Sequence, residues 1–250
     1  MKGFLRIILK ELNYHLYGLK DLAFPRSCII CKDDLEKNEK HICLKCYAEL
    51  PLTYFWGWKN NPAEKRMQEK VPIESAVSLF FYRNTGGYST LIHKIKYEGR
   101  IDLGFELGEI LGEYIKKSGR FDDIDAIVPV PLHFWKKWKR GFNQAEVIAH
   151  GVAKGMTNVT KGESLPVFDN LLIRNRYTKT QTRLSGNSKK KNVKNAFCLN
   201  HKIVPTTIEK GIIHILLIDD VLTSGSTLEA STSPLFYNYK VSIATLGFVE

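Results

Sequence analysis

The run Ile215-Leu216-Leu217-Ile218-Asp219-Asp220-Val221-Leu222-Thr223-Ser224-Gly225-Ser226-Thr227 constrains what this chain can fold into more than any other segment. Four apolar residues lead into two adjacent acids, then into a small, polar turn containing a glycine. The apolar run is too short for a typical helix and reads as a strand buried on both faces of a parallel sheet. Carboxylates where such a strand leaves the sheet stand where open α/β sheets bind ligands. Thr223, Ser224, Gly225, Ser226 and Thr227 offer backbone N–H groups and hydroxyls at the start of an expected helix, an arrangement suited to an anion. Acids beside an anion cradle ask for a ligand with a phosphate and a diol, or a phosphate and a metal ion. A sugar phosphate meets that description. The plainer alternative is a strand ending at a helix cap, its acids merely solvated.

The remaining pattern agrees with an α/β fold. Ala76–Tyr82, Ala126–Val130, Asn170–Arg174, Ile212–Ile218 and Val241–Phe248 read as strands. Tyr88–Lys96, Leu103–Lys117 and Phe142–Lys154 read as helices, the second with Leu103, Leu107, Leu111, Tyr114 and Ile115 on one face. Strands alternating with helices from about residue 73 onward argue for a mainly parallel sheet flanked by helices. Pro234 follows Thr227 by seven residues and marks a short helix or bends a longer one. Residues 51–72, with Pro51, Pro62, Pro72 and Trp56-Gly57-Trp58, read as an irregular connecting segment pinned by aromatics. The expected organisation is therefore 1–50, 51–72 and 73–250.

Four of the five cysteines form Cys28-x-x-Cys31 and Cys43-x-x-Cys46. Two such knuckles across a short loop suit tetrahedral thiolate coordination of zinc, and a closed four-sulfur site is structural rather than catalytic. Two disulfides are the alternative, disfavoured where no secretory signal is read. The N-terminal apolar stretch is broken by Arg6 and Lys10 and lacks a small-residue cleavage site, so a signal peptide is not expected. Phe4, Ile8 and Leu12 recur instead at the spacing of an amphipathic helix. No apolar run approaches the ~20 residues of a membrane span. These features predict a cytoplasmic protein with no integral membrane segment. The fifth cysteine, Cys198, reads as a buried apolar residue.

The formal net charge of +11 favours anionic partners. Two segments concentrate it. Val128-Pro129-Val130-Pro131-Leu132-His133 precedes Lys136, Lys137, Lys139 and Arg140, and then Gly141-Phe142-Asn143-Gln144. Between 174 and 194 there are eight basic residues and no acid, a composition expected of a mobile loop or ribbon. Either could be a solvated basic loop.

The Asp219–Thr227 segment resembles the 5-phosphoribosyl-1-pyrophosphate (PRPP) motif of type I phosphoribosyltransferases. Pro129-x-Pro131 with Arg140-Gly141-Phe142-Asn143-Gln144 resembles the ComF (ComFC) family, as do Thr178, Gln181, Leu184, Asn192 and Phe197 in their spacing. The cysteine knuckles and the His93-Lys94-x-Lys96-Tyr97 element complete that family's order. The resemblance implies a type I phosphoribosyltransferase-like α/β domain with a small N-terminal zinc-ribbon-like element, in a protein linked to competence and DNA uptake.

It further implies roles. Asp219 and Asp220 would contact the ribose hydroxyls as the catalytic acids, and Thr223 to Thr227 would hold the 5-phosphate. Pro129, Val130, Pro131, Lys137 and Arg140 would form a pyrophosphate loop. Thr178, Gln181, Lys189, Lys190 and Lys191 would belong to a closing lid, with lysines where relatives more often carry arginine, a weaker phosphate clamp. Magnesium would accompany PRPP, or another ribose phosphate, and zinc would sit on Cys28, Cys31, Cys43 and Cys46. Three functions stay open: transfer of a 5-phosphoribosyl group to an acceptor the sequence does not name, a non-catalytic PRPP sensor or adaptor, and a competence factor binding single-stranded DNA or competence proteins. Trp135 and Trp138 among lysines suit the last.

Overall fold

The structure is a computed structural model and describes residues 26–83, 86–157, 164–174 and 196–250. The chain divides into two compact units, Met1–Leu50 and Pro51–Glu250. The helix expected from Phe4 to Leu12 lies outside the described residues.

In the first unit, a turn at Cys28–Lys32 brings the first knuckle back on itself, with Lys32 N–H donating to Cys28 O at 3.0 Å. Helix α1 (Leu44–Ala48) carries the second knuckle: Cys43 is its N-cap, and its sulfur accepts from the N–H of Cys46. Ile30, Leu35 and Ile42 pack around the cysteines and form a small apolar shell.

The second unit is built on four parallel strands in the order β1-β6-β5-β2, namely β1 (Ala76–Phe81), β6 (Lys240–Phe248), β5 (His214–Leu222) and β2 (Ala126–Pro129). Burial on both faces accounts for the unbroken apolar runs: Ile215 to Ile218 and Ile243 to Leu246 are excluded from solvent. Helices α2 (Pro62–Gln68), α6 (Gln144–Met156) and α7 (Ser226–Thr232) pack against this sheet. A two-stranded antiparallel ribbon, β3 (Leu172–Arg174) with β4 (Phe197–Leu199), stands apart from it.

Three local findings differ from the sequence pattern. Strand β5 runs four residues beyond Ile218, so Asp219 and Asp220 lie within it; Asp219 pairs with Thr245. Its pairing with β2 nevertheless stops at Ile218 opposite Pro129, because the proline ends that strand. The acids are therefore past the sheet on one side and still held by β6 on the other.

Residues 51–72 are not irregular. They hold a 3₁₀ turn at Phe55–Gly57 and helix α2, with Asn61 capping its first N–H groups and Pro62 in its first turn. Phe55 and Met67 are core residues, Trp56 stacks on Tyr114 at 4.4 Å, and Thr53 and Phe81 bond across to Leu79 and Pro51. Arg120 and the buried Glu64 form an ion pair at 2.7 Å, and the same guanidinium donates to carbonyls of Phe55 and Trp58.

The basic run after Pro131 is also helical, as α5 (Phe134–Arg140). His133 caps it and Gly141 ends it with φ +85°. It buries no residue, and its Phe134, Trp135 and Trp138 are exposed rather than turned to a core. Helix α4 (Ile101–Ser118) packs on α6 with backbones in close approach. A Cβ added at Gly108 or Gly151 would run into the carbonyl of Ile148 or Phe105. Among the described residues, no helix is long and apolar enough to cross a membrane.

Candidate functional site

Asp219 and Asp220 occupy the C-terminal end of an interior strand, where neighbouring elements converge on them. Alternation along β5 sends their side chains to opposite faces. Asp220 is buried, and both its oxygens are engaged. Its Oδ1 pairs with Lys96 Nζ at 2.9 Å, and its Oδ2 accepts from Gln144 Nε2 at 2.7 Å. Asp219 keeps part of its surface in solvent, and its Oδ1 accepts from the N–H of Asp220 at 2.9 Å. Burial first, and the charge of Asp220 second, push the Asp219 carboxyl up to about 7, against the opposing pull of Lys96 and Arg174.

Cations from several elements ring these acids. Lys96 comes from α3 (Ser89–Tyr97). Burial alone would lower its ammonium pKa, but Asp220, together with Asp219 and Tyr82, outweighs burial and raises it. Lys136 of α5 is half-buried; burial, then Arg174, Arg140 and Lys96, hold its pKa below the usual lysine value. Arg174 ends β3 and is lowered by burial, with Asp219 opposing. His133 is pulled down by burial, Arg174 and Lys136. Arg140 donates to Gln144 Oε1 and lies over the Tyr97 ring at 5.5 Å. Lys137 faces outward instead, paired with Glu146 at 2.7 Å.

The loop at Pro129 is fixed by the backbone. Val130 N–H donates to Ile218 O at 2.8 Å, and Asn143 Nδ2 donates to Val130 O at 3.1 Å while its Oδ1 caps α6. Pro131 follows, half-buried. Thr223 and Ser224 are exposed, Ser226 and Thr227 half-buried, and the Ser224 and Ser226 hydroxyls lie 3.0 Å apart. Gly225 adopts φ +77°, the left-handed region. Helix α2 braces the turn: Arg66 donates to the carbonyls of Thr223, at 3.0 Å, and Val249, and stacks on Phe248. Met67 and Lys70 lie against Gly225.

Asp219, Asp220 and Arg140 of the sequence-based set thus meet, with the Pro129 loop on the neighbouring strand. Thr178, Gln181, Lys189, Lys190 and Lys191 lie outside the described residues. Lys96, Lys136, Gln144 and Arg174 were absent from that set. Each nevertheless lay in a segment the sequence singled out: Lys96 in the His93–Tyr97 element, Lys136 and Gln144 in the run after Pro131, and Arg174 at the start of the second basic stretch. Chemically, a partly exposed carboxylate among four cations, beside a turn rich in hydroxyls, can receive a hydroxylated anion or an anion carrying a divalent cation.

In the first unit, the sulfurs of Cys28, Cys31, Cys43 and Cys46 all lie within 4.8 Å of one another. None is in a disulfide, and Cys31 Sγ is 3.6 Å from Cys43 Sγ. A tetrahedral zinc with Zn–S bonds of about 2.3 Å sets its sulfurs about 3.8 Å apart, so the cluster fits that ion. Burial works against a Cys28 thiolate, but N–H groups of Cys43, Cys31 and Ile30 overcome it and bring the thiol down to about 6. The Cys31 thiol is pushed up to about 11: backbone donation from Asp33 pulls it down, and burial with the sulfurs of Cys28 and Cys43 outweighs that pull.

The fold and the clustered cysteines define an α/β protein with a four-stranded parallel sheet flanked by helices and an N-terminal four-cysteine cluster able to hold a metal ion. The chain is a homologue of competence protein F and of the DNA utilization protein YhgH over most of its length. It is 25% identical to competence protein F of Haemophilus influenzae over 215 residues, covering 82% of this chain and 88% of the relative. It is 28% identical to YhgH of Salmonella typhi over 232 residues, covering 87% and 93%. With YhgH of Escherichia coli K12 it shares 28% over 214 residues, 84% of each chain. No protein-family model matches the chain.

Proposed function

We propose that this protein binds PRPP at the end of β5 and transfers, or retains the site to bind, its 5-phosphoribosyl group, in a process of DNA uptake or utilization. The observation that carries the reading is the convergence of Lys96, Lys136, Arg140 and Arg174 on an acid pair that leads directly into the Thr223–Thr227 turn. One ligand matching the whole arrangement is a ribose with a 5-phosphate at one end and a diphosphate at the other. The names of the relatives support the DNA connection.

In this reading, the Thr223–Thr227 hydroxyls and N–H groups hold the 5-phosphate, and Asp219 accepts from the ribose hydroxyls. Lys136, Arg140 and Arg174 stabilise the negative charge that develops as diphosphate departs, the electrostatic contribution on which such reactions depend. Magnesium carried on the diphosphate oxygens would supply further charge neutralisation. No side chain is needed as a covalent nucleophile. Residues 175–195 are assigned the closing lid, which excludes water from the ribosyl centre. The four cysteines hold a structural zinc. Residues 51–72 join the phosphoribosyltransferase-like domain rather than linking it to the zinc element, since they brace the turn itself.

A second reading rests on α5. Phe134, Trp135 and Trp138 are 66%, 60% and 74% exposed, among Lys136, Lys137, Lys139 and Arg140. Aromatic faces between cations suit stacking of single-stranded bases. The two readings are compatible, since α5 borders the acid site. The test of transfer is pyrophosphate release from PRPP with magnesium across a panel of bases, amines and single-stranded oligonucleotides. Release that requires one acceptor selects the enzyme. PRPP binding without release under every acceptor leaves a sensor. Salt-dependent oligonucleotide binding lost in Trp135→Ala/Trp138→Ala supports the stacking surface.

A further inference from the structure

Helix α3 ends in Lys96 and Tyr97, to which the scheme above gives no ligand contact. Its last two residues close a ring of contacts through the acid site. Lys96 Nζ reaches Asp220 Oδ1 at 2.9 Å; Asp220 Oδ2 accepts from Gln144 at 2.7 Å; Gln144 Oε1 accepts from Arg140. The Arg140 guanidinium lies 5.5 Å from the Tyr97 ring centre, and Tyr97 is the chain neighbour of Lys96. Three separate regions of the chain are thereby locked to one carboxylate.

The ring divides the labour of the acid pair. Asp220 is buried and each of its oxygens already accepts from a neighbour, which makes it the less accessible of the two acids for an incoming diol. Among the described residues Asp219 Oδ2 accepts no hydrogen bond, and the side chain retains solvent contact. Meanwhile Lys96 keeps about a quarter of its side chain exposed, 24%, beside Lys136 and Arg140. An ammonium has three donors, and the Asp220 contact uses one. The remaining donors are available to an anion bridging these cations.

We propose that Lys96 is a diphosphate-binding residue and that Asp220 and Gln144 are positioning residues, which hold Lys96 and Arg140 at a fixed separation for that group. This rests on the PRPP reading above. It departs from the sequence-based expectation that both acids face the ribose: Asp219 contacts the sugar, and Asp220 organises the cations.

The probes are inorganic pyrophosphate with magnesium and ribose 5-phosphate, titrated calorimetrically into the full chain. Lys96→Gln keeps a donor for Asp220 but removes the charge; Lys96→Met removes both. Each is expected to weaken pyrophosphate binding by about tenfold or more, the usual worth of a charged hydrogen bond, with ribose 5-phosphate changed less than about twofold. Lys96→Arg should retain most of the pyrophosphate affinity. Asp219→Asn should show the opposite selectivity and weaken ribose 5-phosphate. Wild-type protein that binds neither probe overturns the PRPP reading together with this one. Wild-type protein that binds both, with pyrophosphate affinity unchanged in Lys96→Gln, overturns only the role of Lys96. An equal loss of both probes does the same, since it marks Lys96 as a counter-ion that supports the fold.

Discussion

Gln144 Nε2 donates to Asp220 Oδ2 at 2.7 Å, joining the first residue of α6 to the end of β5 across 76 positions of sequence. The bond is buried, so its loss leaves a carboxylate oxygen without a donor. Gln144→Ala is expected to cost about 1–3 kcal/mol of stability, the penalty for a buried polar group left unsatisfied. Gln144→Glu should cost more at neutral pH, because it places a second carboxylate against the first. Urea midpoints of the two variants check the order; midpoints equal to the wild type would mean that the amide does not hold Asp220.

The position of Asp219 makes stability depend on pH. Its folded-state pKa is raised to about 7 from an ordinary carboxylate value. Between those two values the folded state holds a proton that the unfolded chain has released, so stability falls as pH rises through about 7. Asp219→Asn removes this dependence. It should melt above the ligand-free wild type at pH 8, and the gap should shrink as pH falls toward 4. Thermal melts across that range provide the check, and a gap that widens in acid would reverse the assignment.

The cysteine cluster makes a stoichiometric prediction. Purified protein should carry about one zinc per chain, held by four sulfurs. Removing it with a chelator should expose residues 26–50 to proteolysis, since metal binding supplies much of the folding energy of so small a unit. Cys43→Ser should act like chelation, because it removes one of the four sulfurs while leaving a hydroxyl able to cap α1. Elemental analysis and limited proteolysis test this together. A metal-free chain equally resistant to cleavage would contradict it.

Gly225 has a positive φ and sits against Met67 and Lys70. Gly225→Ala is expected to destabilise by about 1–2 kcal/mol from the left-handed backbone alone. The shifted turn should also weaken ribose 5-phosphate more than pyrophosphate. Denaturation and paired calorimetric titrations read the two effects separately.

The part of the fold written in contiguous sequence was legible in it. The apolar run before Asp219, the amphipathic face of Ile101–Ser118 and the spacing of the cysteines each carry their own periodicity or chemistry. The contacts that assemble the site do not. Lys96 meets Asp220, and Arg66 meets Thr223 across 157 positions, only because the sheet topology places α3 and α2 beside the end of β5. Lys136 and Lys137 are adjacent and chemically alike. Helical geometry alone turns one toward the acids and the other toward Glu146. The reading of 51–72 as irregular missed a helix for a related reason: Pro62 looked like a breaker, but it occupies the first turn of α2, where a proline is favoured.

The central claim is that the C-terminal end of β5, with Asp219 and Asp220, receives PRPP. Its most direct test is calorimetric titration of PRPP with magnesium into the wild type and into Asp219→Asn. Saturable binding by the wild type, weakened at least about tenfold in the variant, is the expected result, since the carboxylate accepts charged hydrogen bonds from the ribose. Absence of binding to the folded, zinc-loaded wild type, or equal affinity in both, would contradict it.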